Sequence, residues 1–167
     1  MAMEKSNELK QVEKEEVASY FNGMGFDRWN RIYSDSDDVN KVQRNIRIGH
    51  QKTVDDVLKW VEDLGDLSDI SFCDAGCGVG SLTLPLASKG AGSIYASDIS
   101  QSMIDETKRR SSLLGLDSKI FEFQTCDLES INGSFHTVIC LDVFIHYPQL
   151  AAEEMVVHLC ELAQERL

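Results

Sequence analysis

The stretch FCDAGCGVGSLTLPLASKG, residues 72–90, decides how this chain folds. An apolar run ends in an acid, glycines follow at positions 76, 78 and 80, and a helix-like segment comes next. Glycine lets the backbone turn sharply and lets a ligand approach without a Cβ in the way. A strand, a glycine-rich turn and a helix N-terminus together form the ligand-binding corner of open α/β sheets. The stretch therefore predicts a small-molecule site, whose ligand depends on the residues nearby.

Strand and helix signals alternate on both sides of this turn, which predicts a parallel sheet. The predicted strands cover 70–75, 92–98, 119–125 and 136–144, and the predicted helices cover 80–89, 101–114 and 150–165. Pro85 is compatible with a helix that begins near residue 80, because the first four N–H groups of a helix have no intrahelical partner. We expect an α/β fold with a Rossmann-like sheet, of which four strands can be placed.

The segment before the sheet has a different composition. Residues 1–19 are charged and only weakly amphipathic, and we expect a solvated helix or tail there. Residues 20–66 contain five aromatic side chains within 20–33 and then helical apolar spacing up to Gly65. We predict that residues 20–66 form a helical arm over the site and that residues 67–167 form the sheet domain.

Composition excludes several classes of protein. The chain has 167 residues, enough for one domain with a hydrophobic core, and no apolar run approaches the roughly 20 residues of a membrane span. A net charge of −12 argues against nucleic-acid binding. The five cysteines show no CxxC pair, so we expect a reducing compartment and no metal site. The charged N-terminus predicts a mature or trimmed form if the protein works in an organelle.

Acids at the ends of three successive predicted strands indicate the ligand. Asp74 precedes the glycine turn, where a carboxylate would repel a pyrophosphate but favour a cation such as S-adenosylmethionine (SAM). Asp98 could accept both ribose hydroxyls, as in dinucleotide folds, and Asp127 could accept the adenine amino group. The alternatives are a packing turn at the glycines and helix capping by Asp98 or Ser100. The predicted cofactor residues are Asp74, Gly76, Cys77, Gly78, Gly80, Asp98, Ile99, Cys126, Asp127, Leu128 and Leu141.

Several motifs occur in the order found in one known family. YFNGMGFDRWNRIYSDSDDVNKVQRNIRIGHQKTVDDVLKWV, CDAGCGVGSLTLPLASKGA, YASDIS and VICLDVFIHYP closely resemble the magnesium-protoporphyrin IX methyltransferases of chlorophyll biosynthesis. The resemblance runs from about Val17 to Pro148. It implies a class I methyltransferase fold and transfer of the SAM methyl group to a propionate of magnesium protoporphyrin IX. It also implies S-adenosylhomocysteine and the monomethyl ester as the products.

The resemblance also implies roles for the arm and for the loop after the fourth strand. It assigns the catalytic pair to Tyr33 and His146, with Tyr20 as the rival for the arm tyrosine. His146 could alternatively approach the magnesium axially. Substrate contacts are predicted at Phe26, Trp29, Arg31, Arg47 and His50. Without the resemblance, these arm residues fit a solvated helix face, with Trp29 and Ile32 in the core.

Localisation, partners and completeness follow from the same resemblance. It implies a chloroplast thylakoid or envelope, or the cytoplasm of a photosynthetic bacterium, with peripheral membrane association. It also implies contact with the large porphyrin-binding subunit of magnesium chelatase. Because the full fold has seven strands, we expect a C-terminally truncated member with an exposed fourth strand. Two alternatives are a methyltransferase for another small-molecule carboxylate and a non-catalytic tetrapyrrole- or cofactor-binding module.

Overall fold

A computed structural model describes residues 2–34 and 37–167 of the chain. Within these residues, five parallel strands form one sheet in the order β3-β2-β1-β4-β5. The strands are β1 (Ser71–Ala75), β2 (Ser93–Asp98), β3 (Phe121–Thr125), β4 (Phe135–Ile139) and β5 (Ala163–Arg166). The helices are α1 (Ala2–Asn22), α2 (Met24–Ile32), α3 (Lys41–Glu62), α4 (Thr83–Ser88), α5 (Gln101–Leu113) and α6 (Gln149–Leu162). The predicted α/β class is therefore confirmed.

Successive side chains of the strands enter two separate cores, one on each face of the sheet. Phe72 packs with the α3 residues Val54, Val57 and Val61 on one face. Its neighbour Cys73 packs on the other face with Met155 of α6. Both faces are covered by helices, as parallel sheets require.

The strand order reverses beside β1, which places the ligand-binding crevice of the fold. β2 and β3 lie on one side of β1, and β4 and β5 lie on the other. In open α/β sheets, ligands bind at such a switch point, outside the carboxyl ends of the strands. In the strand register, Asp74 is opposite Ala96, and Asp98 is opposite Thr125. The register therefore brings the ends of the first three strands to the same edge of the sheet.

Two sequence predictions about the last strands are wrong. The predicted strand at 136–144 ends at Ile139, because Asp142 has a φ of 59° and Phe144–His146 form a 3-10 turn. The predicted helix at 150–165 ends at Leu162, and β5 pairs with β4, which is therefore not an exposed edge. Ala, Gln, Glu and Arg are good helix formers, so local propensity favoured a helix where strand pairing prevails.

The N-terminal helices are fastened to the sheet domain by side-chain hydrogen bonds. Asn22 Oδ1 accepts from the Ser100 hydroxyl at 3.0 Å and from the Ser102 backbone N–H at 3.1 Å. Lys14 forms ion pairs with Asp127 and Glu129. A helix is present over Ala2–Asn22, where a solvated helix or tail was predicted, and Lys14 on this helix is paired with the sheet domain. Within the described residues, no helix is both long enough and apolar enough to cross a membrane.

Candidate active site

A cavity of about 370 Å³ lies at the carboxyl ends of the strands, under the N-terminal helices. Its volume is within the roughly 300–1,000 Å³ of small-molecule sites. The loops after β1, β2, β3 and β4 all contribute to its wall, as do α1, α2 and α3. Among the residues predicted from sequence, the lining includes Trp29, Tyr33, His50, Asp74, Gly76, Cys77, Gly78, Asp98, Ile99, Cys126, Asp127, Leu128, Leu141 and His146.

Asp74 is a buried carboxylate at the end of β1. Its side chain accepts a hydrogen bond from the Thr83 hydroxyl, at the start of α4. Burial raises the pKa of Asp74 to about 6, although the hydrogen bonds from Thr83 oppose the rise and the neighbouring Asp98 adds to it. A charged carboxylate in this place is therefore costly until a cation lies beside it.

Asp98 connects the glycine turn to the start of α5. One oxygen accepts from the Gly78 backbone N–H and the other from the Ser100 backbone N–H, both at 2.9 Å. The N-cap of α5 is Ser100, whose hydroxyl accepts from Met103 N–H. Of the two capping alternatives, Ser100 is thus the cap. Burial raises the pKa of Asp98, and its two backbone hydrogen bonds oppose the rise.

Asp127 follows β3 and caps the short turn Leu128–Ser130. Its carboxylate accepts from Ser130 N–H at 2.8 Å and from Lys14 Nζ at 3.2 Å. Burial alone would raise the pKa of Asp127, but these two donors lower it below the ordinary value. Asp127 is therefore paired with a cation, whereas Asp74 accepts from the Thr83 hydroxyl.

The glycines of the turn adopt left-handed backbone conformations that side chains disfavour. Gly76, Gly78 and Gly80 have φ values of 81°, 54° and 85°. A Cβ at Gly76 would lie 2.2 Å from Val143 Cγ2, whereas a Cβ at Gly78 would meet nothing within 4 Å. Gly80 does not line the cavity, and a Cβ there would meet Thr107 and Leu84. Gly80 thus serves packing, while Gly78 faces open space.

Five aromatic rings form a continuous row along the arm side of the cavity. Neighbouring centroids are 5.0 Å apart for Phe21 and His146, 6.4 Å for His146 and Trp29, 5.4 Å for Trp29 and Tyr33, and 4.2 Å for Tyr33 and His50. Burial, with Asp142 nearby, raises the pKa of Tyr33, which therefore keeps its proton at neutral pH. Burial lowers the pKa of His146, and Asp142 opposes the change.

Asp142 is a site residue that the sequence did not reveal. Its Oδ2 lies 2.7 Å from Nδ1 of His50, although 92 residues separate the two in sequence. Among the described residues other than glycine, Asp142 alone has a positive φ. Such strain, next to a cavity, is characteristic of functional sites. The sequence signal was weak, since an acid after a strand resembles an ordinary turn residue.

Two buried nitrogen atoms on this wall have no hydrogen-bond partner among the described residues. They are Nε1 of Trp29 and Nε2 of His50. Both residues line the cavity. Buried polar groups in proteins are normally paired, which distinguishes these two atoms from most buried nitrogens.

Three of the predicted substrate residues lie outside the cavity lining. Phe26 is half-buried elsewhere on α2. Arg31 is exposed and pairs with Asp38 at 3.7 Å, and Arg47 donates to the carbonyls of Ile32 and Arg31 at 2.6 and 3.0 Å. Arg47 therefore joins α2 to α3. Tyr20, the rival of Tyr33, packs on Phe21 and Gly25 and also lies outside the lining.

Further lining residues were not predicted from the sequence. Their helical or strand-end positions resembled ordinary core or loop positions, so no local signal separated them. They are Val17, Phe21, Ile46, Val79, Ser81, Leu82, Met103, Asp142, Val143, Ile145 and Tyr147. Among the described residues, no group of three or more His, Cys, Asp or Glu side chains could hold a metal ion.

Comparison with known proteins agrees with this geometry. Residues 72–165 match the methyltransferase domain family. The chain also matches a crystal structure of magnesium protoporphyrin IX methyltransferase from Synechocystis PCC 6803 with bound SAM. The TM-score is 0.86 at 49% identity, over 91% of this chain and 72% of that one. The chain belongs to the magnesium protoporphyrin IX methyltransferase family. The resemblance inferred from its motifs is confirmed.

Two curated relatives extend the comparison. The chain is 44% identical to magnesium protoporphyrin IX methyltransferase, chloroplastic, from Arabidopsis thaliana, over 93% of this chain and 49% of the relative. It is 50% identical to magnesium-protoporphyrin O-methyltransferase from Synechocystis, over 90% of this chain and 65% of the relative. The chain thus spans about half to two thirds of the length of these relatives.

Proposed function

We propose that this protein transfers the methyl group of SAM to a propionate carboxylate of magnesium protoporphyrin IX, giving the monomethyl ester. The observation that carries the proposal is one cavity whose wall combines strand-end acids with a row of aromatic rings on the arm. A cationic cofactor suits the acids, and a large apolar acceptor suits the rings. The names of the relatives support the same substrate.

In this proposal, the three strand-end acids hold the cofactor. Asp74 faces the ammonium group of the methionine portion, Asp98 accepts the ribose hydroxyls, and Asp127 lies near the adenine. Each of the Asp98 oxygens already accepts one backbone N–H, but a carboxylate oxygen has a further lone pair for a ribose hydroxyl. The glycine turn allows close approach, because Gly78 has open space where a side chain would stand.

The chemistry requires little acid–base assistance. An ionised propionate attacks the methyl carbon, the carbon–sulfur bond breaks, and the electron pair remains on sulfur. One negative and one positive charge disappear together, so the neutral products need less solvation than the reactants. A water-poor, aromatic wall therefore favours the transfer, and the protein contributes mainly alignment and exclusion of water.

Tyr33 and His146 are the proposed catalytic residues. Tyr33 is protonated at neutral pH and can donate its O–H to one carboxylate oxygen, which aims the other oxygen at the methyl group. His146 is held edge-on between Phe21 and Trp29, so its ring has a fixed orientation in the cavity wall. Tyr20 is the weaker candidate because it lies outside the lining.

We also propose that the protein works in a chloroplast or in a photosynthetic bacterium. The Arabidopsis relative is named as chloroplastic, and the other close relative is from Synechocystis. Peripheral association with photosynthetic membranes and delivery of the substrate by magnesium chelatase remain proposals that rest on the family resemblance.

Chromatography of the pigment tests this function. The chain is incubated with magnesium protoporphyrin IX and SAM, and we expect the monomethyl ester to form. We expect His146→Ala to reduce turnover by about a hundredfold, within the range for loss of one positioned group. Its SAM Kd, measured by calorimetry, should change less than twofold. An ester yield unaffected by His146→Ala would remove that residue from catalysis. Binding of both ligands without any ester would instead support the non-catalytic module.

A further inference from the structure

The cavity wall is short of cationic groups for an acceptor with carboxylates. Among the described residues, its lining contains Asp74, Asp98, Asp127 and Asp142 but no lysine or arginine. A carboxylate that enters this cavity must therefore be received by neutral N–H and O–H donors or by an imidazole. The arm offers the side-chain nitrogens of aromatic residues for this role.

Trp29 Nε1 and His50 Nε2 are such nitrogens, and both are buried with no partner in the part of the chain that the structure describes. The rings of both residues are neighbours of Tyr33 in the row. The ring centroid of Tyr33 is 5.4 Å from that of Trp29 and 4.2 Å from that of His50. A buried polar group without a partner is unfavourable, and a hydrogen bond to a ligand oxygen would relieve this cost. Two such groups beside one tyrosine indicate a site for an oxygen-rich ligand group.

Asp142 decides what the imidazole of His50 presents to the cavity. An ionised carboxylate only accepts hydrogen bonds, so Nδ1 of His50 carries the hydrogen in the 2.7 Å contact. A carboxylate at Nε2 also needs a donor, so His50 can hold both acids only in the form of the ring that has a hydrogen on each nitrogen. In that form it donates from Nδ1 to Asp142 and from Nε2 to the ligand.

We infer that Trp29 Nε1–H and His50 Nε2–H are the donors that hold an acceptor carboxylate beside Tyr33, with Asp142 as the residue that positions His50. This inference rests on the proposed function and deepens it, because it assigns the recognition of the carboxylate to named atoms. It also explains why the arm arginines are not needed at the cavity. Arg47 is instead used to join α2 to α3.

A comparison of two pigments separates carboxylate recognition from ring packing. The probes are magnesium protoporphyrin IX and its dimethyl ester, which has the same macrocycle but no ionised carboxylate. The Kd of each is measured by Soret-band titration on the full chain with S-adenosylhomocysteine present. The variants are Trp29→Phe and His50→Phe, which keep an aromatic ring, and Asp142→Asn, which tolerates a positive φ.

We expect each of the two ring variants to weaken binding of the diacid about tenfold, as for loss of one hydrogen bond to a charged group. Binding of the dimethyl ester should change less than twofold. The Kd of Asp142→Asn for the diacid should lie between those of the ring variants and that of the wild type. An amide oxygen still accepts a hydrogen bond from Nδ1 of His50 but carries no charge. His50→Gln, which keeps an N–H donor, should recover part of the loss. Tyr20→Phe is the matched control and should change neither Kd.

Other outcomes overturn the inference. Equal losses for the diacid and the dimethyl ester would mean that the rings only pack against the macrocycle. Equal Kd values of the two pigments for the wild type would mean that this site does not recognise carboxylates, even if the ester still forms in the chromatographic assay. A wild-type chain that binds neither pigment would contradict the proposed function itself, and the inference with it.

Discussion

At the scale of single residues, the cavity is built from acids in different states. Asp127 is paired with Lys14 and has a lowered pKa, whereas Asp74 and Asp98 are buried with raised pKa values. When burial raises the pKa of a carboxylate, its charged form is destabilised, and a bound cation would stabilise that form. This difference makes the Asp74 and Asp98 side of the cavity the suitable place for the positive groups of SAM.

Cofactor affinity should therefore depend on the ionisation of Asp74. Its pKa in the empty protein is about 6, so at pH 5 only about a tenth of the molecules carry the charged carboxylate. We expect the Kd for SAM, measured by calorimetry, to be about tenfold weaker at pH 5 than at pH 7. Asp74→Asn should bind weakly and with little change between the two pH values. A wild-type Kd that is constant from pH 5 to 7 would contradict the assignment.

The same shift has an opposite effect on the unliganded protein. Because the folded pKa of Asp74 is raised, the folded state binds the proton more tightly than the unfolded state between about pH 4 and 6. Asp74 therefore lowers stability as the pH rises through this window. SAM should offset the loss above pH 6, so the Tm gain on adding SAM should be larger at pH 7 than at pH 5.

The glycine turn allows a matched test of backbone space. Gly76 and Gly78 both have positive φ, so alanine at either position costs about 1–2 kcal/mol of strain. Only at Gly76 would the new Cβ meet Val143, at 2.2 Å. We expect Gly76→Ala to lower the Tm clearly more than Gly78→Ala. Adding Val143→Ala should remove much of the difference, and equal Tm losses for the two glycine variants would contradict the packing described.

At the scale of elements, the arm is placed by a few long-range contacts. Arg110 of α5 donates to the Tyr33 carbonyl at 3.2 Å and to Asn30 Oδ1 at 2.6 Å, and it pairs with Glu106. The hydrogen bond from Arg109 lowers the pKa of Glu106 to about 2. Burial opposes this change, and the hydrogen bond from Arg110 adds to it. This cluster fixes the end of α2, where Tyr33 lies.

Loosening this cluster should affect the acceptor side more than the cofactor side. We expect Arg110→Met to weaken binding of magnesium protoporphyrin IX severalfold while the SAM Kd changes less than twofold. Arg109→Met is the control, because the described hydrogen bonds of Arg109 go to Glu106 and not to the arm. Equal effects of the two variants on porphyrin binding would show that Arg110 acts only through Glu106.

The sequence predicted elements better than it predicted contacts between them. The first three strands and their acids were found because apolar runs and glycine turns are local signals. β5 was missed because its residues favour a helix in isolation, and only pairing with β4 makes it a strand. The contacts of Lys14 with Asp127 and of His50 with Asp142 join residues 113 and 92 positions apart, which no local pattern reveals.

At the scale of the whole molecule, the sheet and the arm contribute different parts of the cavity wall. The switch point of the sheet supplies the acids and the glycine turn, while α1, α2 and α3 supply most of the row of rings. The net charge of −12 is unfavourable for an acceptor with two carboxylates, so local donors must outweigh the average field. For the transfer, both ligands must therefore share one cavity.

A crystal structure of the chain with S-adenosylhomocysteine and magnesium protoporphyrin IX tests this claim most directly. We predict the ribose on Asp98, the sulfur facing the arm, and a propionate carboxylate within hydrogen-bond distance of Trp29 Nε1 and His50 Nε2. A macrocycle bound elsewhere, or a carboxylate directed away from the sulfur, would contradict the account.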